Sequence, residues 1–186
     1  GREYHCFSYY GAEDAENIII LMGSATEAAR EAIDYLTSEG KKVGMISVHL
    51  YRPFSVKHLF AAVPKTVKKI AVLDRTKEPG AEGEPLYLDV KSAFYDQENR
   101  PVIVGGRYGL GSSDITPAKI ISVYNNLELP EPKNHFTVGI VDDVTFTSLP
   151  AVEEMALGGK SIYEAKFFGL GADGTVGANK NSVKII

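Results

Sequence analysis

The sequence of 186 residues is short of several things that catalytic and binding proteins use. It has one cysteine, Cys6, so an internal disulfide is excluded. One thiolate also cannot assemble a zinc centre or an iron–sulfur cluster. The four histidines, His5, His49, His58 and His135, have no metal-ligand spacing. There is no excess of positive charge: the net charge is −4, and no basic face points to nucleic acid or to an anionic membrane. No apolar run approaches the roughly 18 residues of a membrane span. These absences fit a reducing, cytoplasmic setting. No signal-peptide pattern opens the sequence. It begins Gly1-Arg2 without an initiator methionine and stops on Ile185-Ile186. The reading taken from those ends is an internal fragment of a larger protein.

What remains is an ordinary globular composition, 44% hydrophobic and 24% charged, enough for one good core and an appendage. The pattern alternates strands with helices. Asn17 to Met22 is a continuous apolar run, as in a strand buried on both faces. Ser24 and Glu27 have capping-box spacing, and Ala28, Ala29, Ala32, Ile33 and Leu36 follow at helical intervals, with Gly40 placed to stop the helix. Val43 to Leu50 is the next strand. Ser55 is a helix N-cap, with Phe54 and Leu59 spaced as a hydrophobic staple. Lys69 to Leu73 is a strand, residues 86–96 a helix after Pro85, and Pro101 to Val104 a strand. Thr116-Pro117 opens a helix to about Leu127. His135 to Val141 and Ala165 to Phe168 read as further strands.

This order predicts an α/β fold: an open, mainly parallel sheet with flanking helices and right-handed crossovers. A truncated strand–glycine turn–helix unit follows it. Residues 1–16 read as an entering segment, 17–150 as the α/β domain, and 151–186 as a connector and the beginning of a further unit. Ligands of such sheets sit at the carboxyl ends of the strands, where the loops 23–26, 51–54, 74–83 and 105–115 emerge.

Few motifs survive inspection. Gly169-Leu-Gly-Ala-Asp-Gly174, between a strand and a helix, has the context of a phosphate or dinucleotide fingerprint. On pattern alone it stands even with a tight strand-to-helix turn. Asp173-Gly174 with Asn179 and Asn181 is too compact for a thiamine diphosphate motif. Gly159-Lys-Ser161 lacks the leading glycine of a P-loop, because Glu154 stands there. No Gly-x-Ser-x-Gly elbow occurs. Arg52, Arg75 and Arg107 could each hold an anion, but loop ion pairs with Asp74, Glu78 or Asp114 are the commoner use. His49 and His58 read as packed or surface residues, and the Asp142-Asp143 pair as solvated acids rather than cation ligands. No complete catalytic set is visible.

Seven stretches, in order along nearly the whole chain, carry a specific resemblance. They are Leu50-Tyr-Arg-Pro-Phe-Ser55, Ala71-Val-Leu-Asp-Arg-Thr-Lys-Glu-Pro-Gly80, Gly83-Glu-Pro-Leu-Tyr-Leu-Asp-Val90 and Gly105-Gly-Arg-Tyr-Gly-Leu110, then Pro132-Lys-Asn-His-Phe-Thr-Val-Gly139, Asp142-Asp-Val-Thr145 and Gly169-Leu-Gly-Ala-Asp-Gly-Thr-Val-Gly-Ala-Asn-Lys-Asn-Ser182. Together they resemble the pyruvate:ferredoxin (flavodoxin) oxidoreductase family. The resemblance implies a long multidomain parent that converts pyruvate and coenzyme A to acetyl-CoA and carbon dioxide. Such a parent uses thiamine diphosphate, Mg²⁺ and 4Fe–4S clusters, passes electrons to ferredoxin or flavodoxin, and forms a homodimer. It further implies that this segment is the second domain, similar to the C-terminal domain of transketolase, plus the start of a gamma-type third domain.

The thiamine motif and cluster ligands then lie outside these residues, and the fragment serves as scaffold and inter-domain interface, inactive alone. A part of the coenzyme A site falls on Gly169, Gly171, Gly174, Thr175 and Asn179. The stretch from about Ala151 to Ser161 is shorter than the family leads one to expect. A reading from another class is a free-standing nucleotide-binding regulatory module.

Overall fold

A computed structural model describes residues 4–154, 168 and 174–185. Its centre is a six-stranded sheet in the order β1-β3-β2-β4-β5-β6, formed by β1 (Phe7–Gly11), β2 (Asn17–Met22), β3 (Val43–Val48), β4 (Lys69–Asp74), β5 (Val102–Tyr108) and β6 (Phe136–Val138). All neighbours pair in parallel except β1, which runs antiparallel along β3. Helices α1 (Ala25–Ser38), α2 (Val56–Ala62), α3 (Pro85–Ala93) and α4 (Pro117–Glu128) connect the strands, and α5 (Thr175–Ile185) lies near the chain end.

The strand period of two sorts the apolar residues into two layers. Ile19 and Leu21 of β2, Met45 of β3 and Ala71 and Leu73 of β4 face α1 and α4. Ile18, Ile20, Ile46, Ile70 and Val72 face the other way, toward Leu59 of α2 and Leu86 and Val90 of α3. The uninterrupted apolar run of β2 thus reflects burial on both faces. From β4 to β5 and from β5 to β6 the chain moves in the same direction across the sheet. It does so through α3 on one layer and α4 on the other. Those two crossovers therefore have opposite hands, where the sequence pattern predicts a uniform right-handed set.

Local signals were met unevenly. Gly40 ends α1 at φ +81, with Gly40 N–H bonding Thr37 O at 2.9 Å and Lys41 N–H bonding Leu36 O at 2.9 Å, the paired bonds of a Schellman stop. The Ser24–Glu27 capping box is not formed: Ser24 is itself helical (φ −63, ψ −21), and its side chain makes no cap bond. Ser55 flanks α2 in an extended conformation but also makes no cap bond; its hydroxyl pairs with His58 Nδ1 at 2.7 Å. Thr116 does cap, accepting from Lys119 N–H at 3.3 Å, with Pro117 opening α4.

Three strands depart from the pattern. Residues 1–16 read as an entering segment, but Phe7–Gly11 is the sixth strand of the sheet, an antiparallel edge paired from Phe7 against Val48 to Gly11 against Gly44. Strand β5 runs on through Gly105 and Gly106, which look like a turn in sequence. They are glycines because rings cover them: a Cβ on Gly106 would lie 2.0 Å from the Phe136 ring, and one on Gly105 2.8 Å from that of Tyr87. Strand β6 is only Phe136–Val138, bracketed by His135 at φ +53 and Gly139 at φ +65. The strand expected at Ala165 to Phe168 lies, but for Phe168, outside the described residues.

Candidate functional site

The carboxyl ends of β2 and β4 meet where the strand order reverses, the place where open α/β sheets bind ligands. A cleft of about 330 Å³ lies there, lined by Met22, Gly23, Ser24, Tyr51, Asp74, Arg75 and Tyr108 among others. Its charged groups are largely committed to structure. Asp74 is buried, and its carboxylate accepts from Leu86 N–H at 3.0 Å and Tyr87 N–H at 3.1 Å. It thereby satisfies the first turn of α3 from the end of β4. Burial pushes its pKa up, partly countered by those two donors.

The three arginines find partners other than those expected. Arg52 Nη1 lies 2.8 Å from Asp89 Oδ2, and its guanidinium stacks 3.9 Å from the centre of the Tyr51 ring. Tyr51 donates to the same Asp89 oxygen at 2.7 Å, and burial together with that bond pushes its pKa up to about 12. Arg107 Nη1 approaches buried Glu84 at 3.6 Å. Arg75 donates from Nε to Gly109 O at 3.2 Å. Asp114 pairs with Lys119 instead. Asp89 and Glu84, both on or beside α3, were missed because no spacing in the sequence links them to Arg52 and Arg107. The edge is thus a set of crossed ion pairs that fix one loop to the next.

Neither Ser–His contact makes a nucleophile. His49 Nε2 meets Ser8 Oγ at 3.1 Å and His58 meets Ser55, but among the described residues no carboxylate orients either ring. Asp142 is a loop anchor rather than a cation ligand. It accepts from Val144 N–H, Thr145 N–H and Thr147 N–H at 3.0–3.1 Å and from the Thr145 and Thr147 hydroxyls. Those bonds hold its pKa far below the usual carboxylate range. Among the described residues no group of three or more His, Cys, Asp or Glu is placed to hold a metal ion.

Of the five residues predicted to meet coenzyme A, Gly169 and Gly171 lie outside the described residues. Gly174 has φ +78, and nothing lies within 4 Å of where its Cβ would be. Thr175 opens α5, and Asn179 follows one turn later on the same face; both are half-buried. The structure therefore keeps an open, left-handed glycine directly before a helix, the geometry that glycine alone adopts without strain.

The sheet and its carboxyl edge define an α/β scaffold domain of crossed loop contacts, without a complete catalytic set among the described residues. Comparison with known proteins places it further. Residues 15–120 match the family pyruvate:ferredoxin oxidoreductase core domain II, and the chain belongs to that family. It is 60% identical to the pyruvate-flavodoxin oxidoreductase of Enterobacter agglomerans and 54% identical to the pyruvate:ferredoxin oxidoreductase of Moorella thermoacetica. In both cases the match covers 100% of this chain and 16% of the relative's length. A solved 2-oxoglutarate:ferredoxin oxidoreductase from Magnetococcus marinus, with 2-oxoglutarate, coenzyme A and succinyl-CoA bound, aligns at TM-score 0.48 and 25% identity, covering 66% of this chain and 19% of that one.

Proposed function

We propose that this chain acts as one domain of a thiamine diphosphate-dependent pyruvate:ferredoxin or flavodoxin oxidoreductase, supplying scaffold and inter-domain surface. The observation that carries the reading is the match of the whole chain, at 60% identity, to 16% of a pyruvate-flavodoxin oxidoreductase. The ion pairs Arg52–Asp89 and Arg107–Glu84 support it, because they tie the carboxyl edge to α3 and the residue before it. Residues 17–150 form the scaffold domain in this reading, with β1 added at its edge, and 151–186 begin the next domain.

The chain's own residues do not fit the iron–sulfur clusters of such an enzyme, since a cubane takes four cysteines and Cys6 is alone. No electron-transfer step is therefore assigned to them. The thiamine diphosphate and Mg²⁺ of the parent fall likewise to its other domains. Among the described residues no helix is long and apolar enough to cross a membrane. In this reading the parent is a cytoplasmic homodimer.

For coenzyme A the fit is better. Gly174 is left-handed directly before α5, and Thr175 and Asn179 share one face of that helix; in this reading the backbone N–H groups of the helix start, together with Gly169 and Gly171 of the sequence motif, meet a phosphate or pantetheine group. Gly171→Val in the full-length enzyme should raise KM for coenzyme A about tenfold or more, the loss of about one charge-assisted hydrogen bond. First-step decarboxylation should persist. Unchanged coenzyme A kinetics would remove the ligand role and leave a tight turn. The whole reading is tested by turnover: the parent should oxidise pyruvate with coenzyme A and a dye acceptor, and the 186-residue chain should not. Turnover by the chain alone, or saturable calorimetric binding of NAD or ATP to it, would instead favour a free-standing module.

A further inference from the structure

The loop after β6 holds large apolar side chains out into solvent. Val141, Val144 and Phe146 are 91%, 81% and 73% exposed within six residues. Isolated exposed apolar residues are common, whereas a clustered set marks an interaction surface; these three are close in sequence, with exposed Asp143 and Thr145 between them. This set is held in place. Asp142 accepts from three backbone N–H groups and two hydroxyls of residues 144–147. Ser148 Oγ accepts from Asp142 N–H at 2.8 Å and donates to Ile140 O at 2.7 Å. Lys133 Nζ donates to Phe146 O at 3.1 Å and Ser148 O at 3.2 Å. Thr137 N–H bonds Thr147 O at 3.0 Å, and Leu149 N–H bonds Thr137 O at 2.9 Å, so the loop closes onto the edge strand β6. Phe146 sits at φ +55, a left-handed conformation that a bulky residue adopts at a cost and that recurs at functional sites. Three N–H groups, two hydroxyls and a lysine thus fix a loop that presents three large apolar side chains beside exposed Asp143 and Thr145.

We propose that Val141, Val144 and Phe146 form a preformed knob that docks into an apolar pocket on another domain of the same polypeptide, outside residues 1–186. The proposal rests on the multidomain parent assigned above. Two arguments select this occupant over a second copy. Three side chains fall well short of the about 800 Å² per partner of a standard untethered interface. A domain on the same chain needs far less area, because tethering holds it at an effective concentration of order millimolar. Most of each relative's length, all but 16%, lies outside the matched region, so such a domain is at hand.

The test is photocrosslinking in the full-length parent, with p-benzoylphenylalanine replacing Phe146 and, in a second variant, Val144. Peptide mapping should find an intrachain crosslink to a peptide outside residues 1–186, from either position. A crosslink between two polypeptides would overturn the proposal in favour of a second copy, and so would crosslinks confined to residues 1–186 or none at all. The readout is a mass, not turnover. Failure of the parent to oxidise pyruvate would count against the assigned function and leave the crosslink result to judge the knob.

Discussion

The sheet from β1 to β6 and the stretch beyond it are stabilised in different ways. Helix α4, twelve residues long, has eight of them buried, including Ile120, Val123, Tyr124 and Leu127. Helix α5, eleven residues long, has none, and Val176, Val183 and Ile185 are exposed. Between them the Asp142 loop is fixed by hydrogen bonds, with its apolar side chains outward. Among the described residues of this stretch, only Leu149 and Val152 pack partly against the α1/α4 layer. The sheet is thus self-sufficient by burial. The Asp142 loop is organised locally, and a helix of eleven residues with none of them buried gains little from a core, where an isolated helix of that length is marginal in water. The difference teaches which described residues are held by a shared buried core and which by bonds to their own neighbours.

The largest effect that would break this comparison is a cavity placed in each helix. Leu127→Ala in α4 should lower the unfolding free energy of the 186-residue chain by about 2–5 kcal/mol. Val183→Ala in α5 should leave it within about 0.5 kcal/mol. Urea titration of the two variants decides. A comparable loss in both would mean that α5 shares the core after all. A second, smaller effect sharpens the account of the sheet edge. Gly106→Ala would set a Cβ 2.0 Å from the ring of Phe136, which is fully buried, and should cost about 1–3 kcal/mol by overpacking. Gly174→Ala meets no atom within 4 Å, so it carries only the backbone strain of a left-handed residue. If Gly106→Ala proved silent, β6 would not be held against β5 as described.

How far the sequence speaks follows from the same physics. β2 and α4 were legible because burial on both faces, or along one helical face with a threonine cap, leaves a periodic trace. β1 left none: only Phe7 of its aromatic residues is buried, Tyr9 and Tyr10 being half-buried at an edge, and at its end two glycines meet across the strands, where a Cβ on Gly11 would lie 2.4 Å from Gly44 Cα. Gly105 and Gly106 were misread as a turn because a glycine that admits a ring looks, in one dimension, like a glycine that bends the chain. The ion pairs Arg52–Asp89 and Arg107–Glu84 join residues far apart in sequence, and no periodicity encodes them. The glycine motif before α5 is visible in the sequence because its residues are adjacent; Gly169 and Gly171 lie outside the described residues, and only the family resemblance implies a ligand for it.

The smallest effect is in pH, and it separates the two regions by sign. Asp74 is buried in the sheet domain, and burial raises its folded pKa above the unfolded value, about 3.9. Its ionisation therefore opposes folding: the contribution is favourable below the unfolded pKa and is lost as pH rises through the folded one. Asp142 is half-buried in the outer loop, where bonds from Thr145 and Thr147 lower its folded pKa. Its contribution is present above about pH 3.9 and fades as pH falls toward the folded value. Between pH 3 and pH 7 the two substitutions should then diverge. Relative to the unsubstituted chain, Asp74→Asn should improve as pH rises, and Asp142→Asn should worsen. Chemical denaturation at several pH values measures both slopes. Slopes of the same sign would mean that the two carboxylates do not differ as burial in one and saturated hydrogen bonding in the other require.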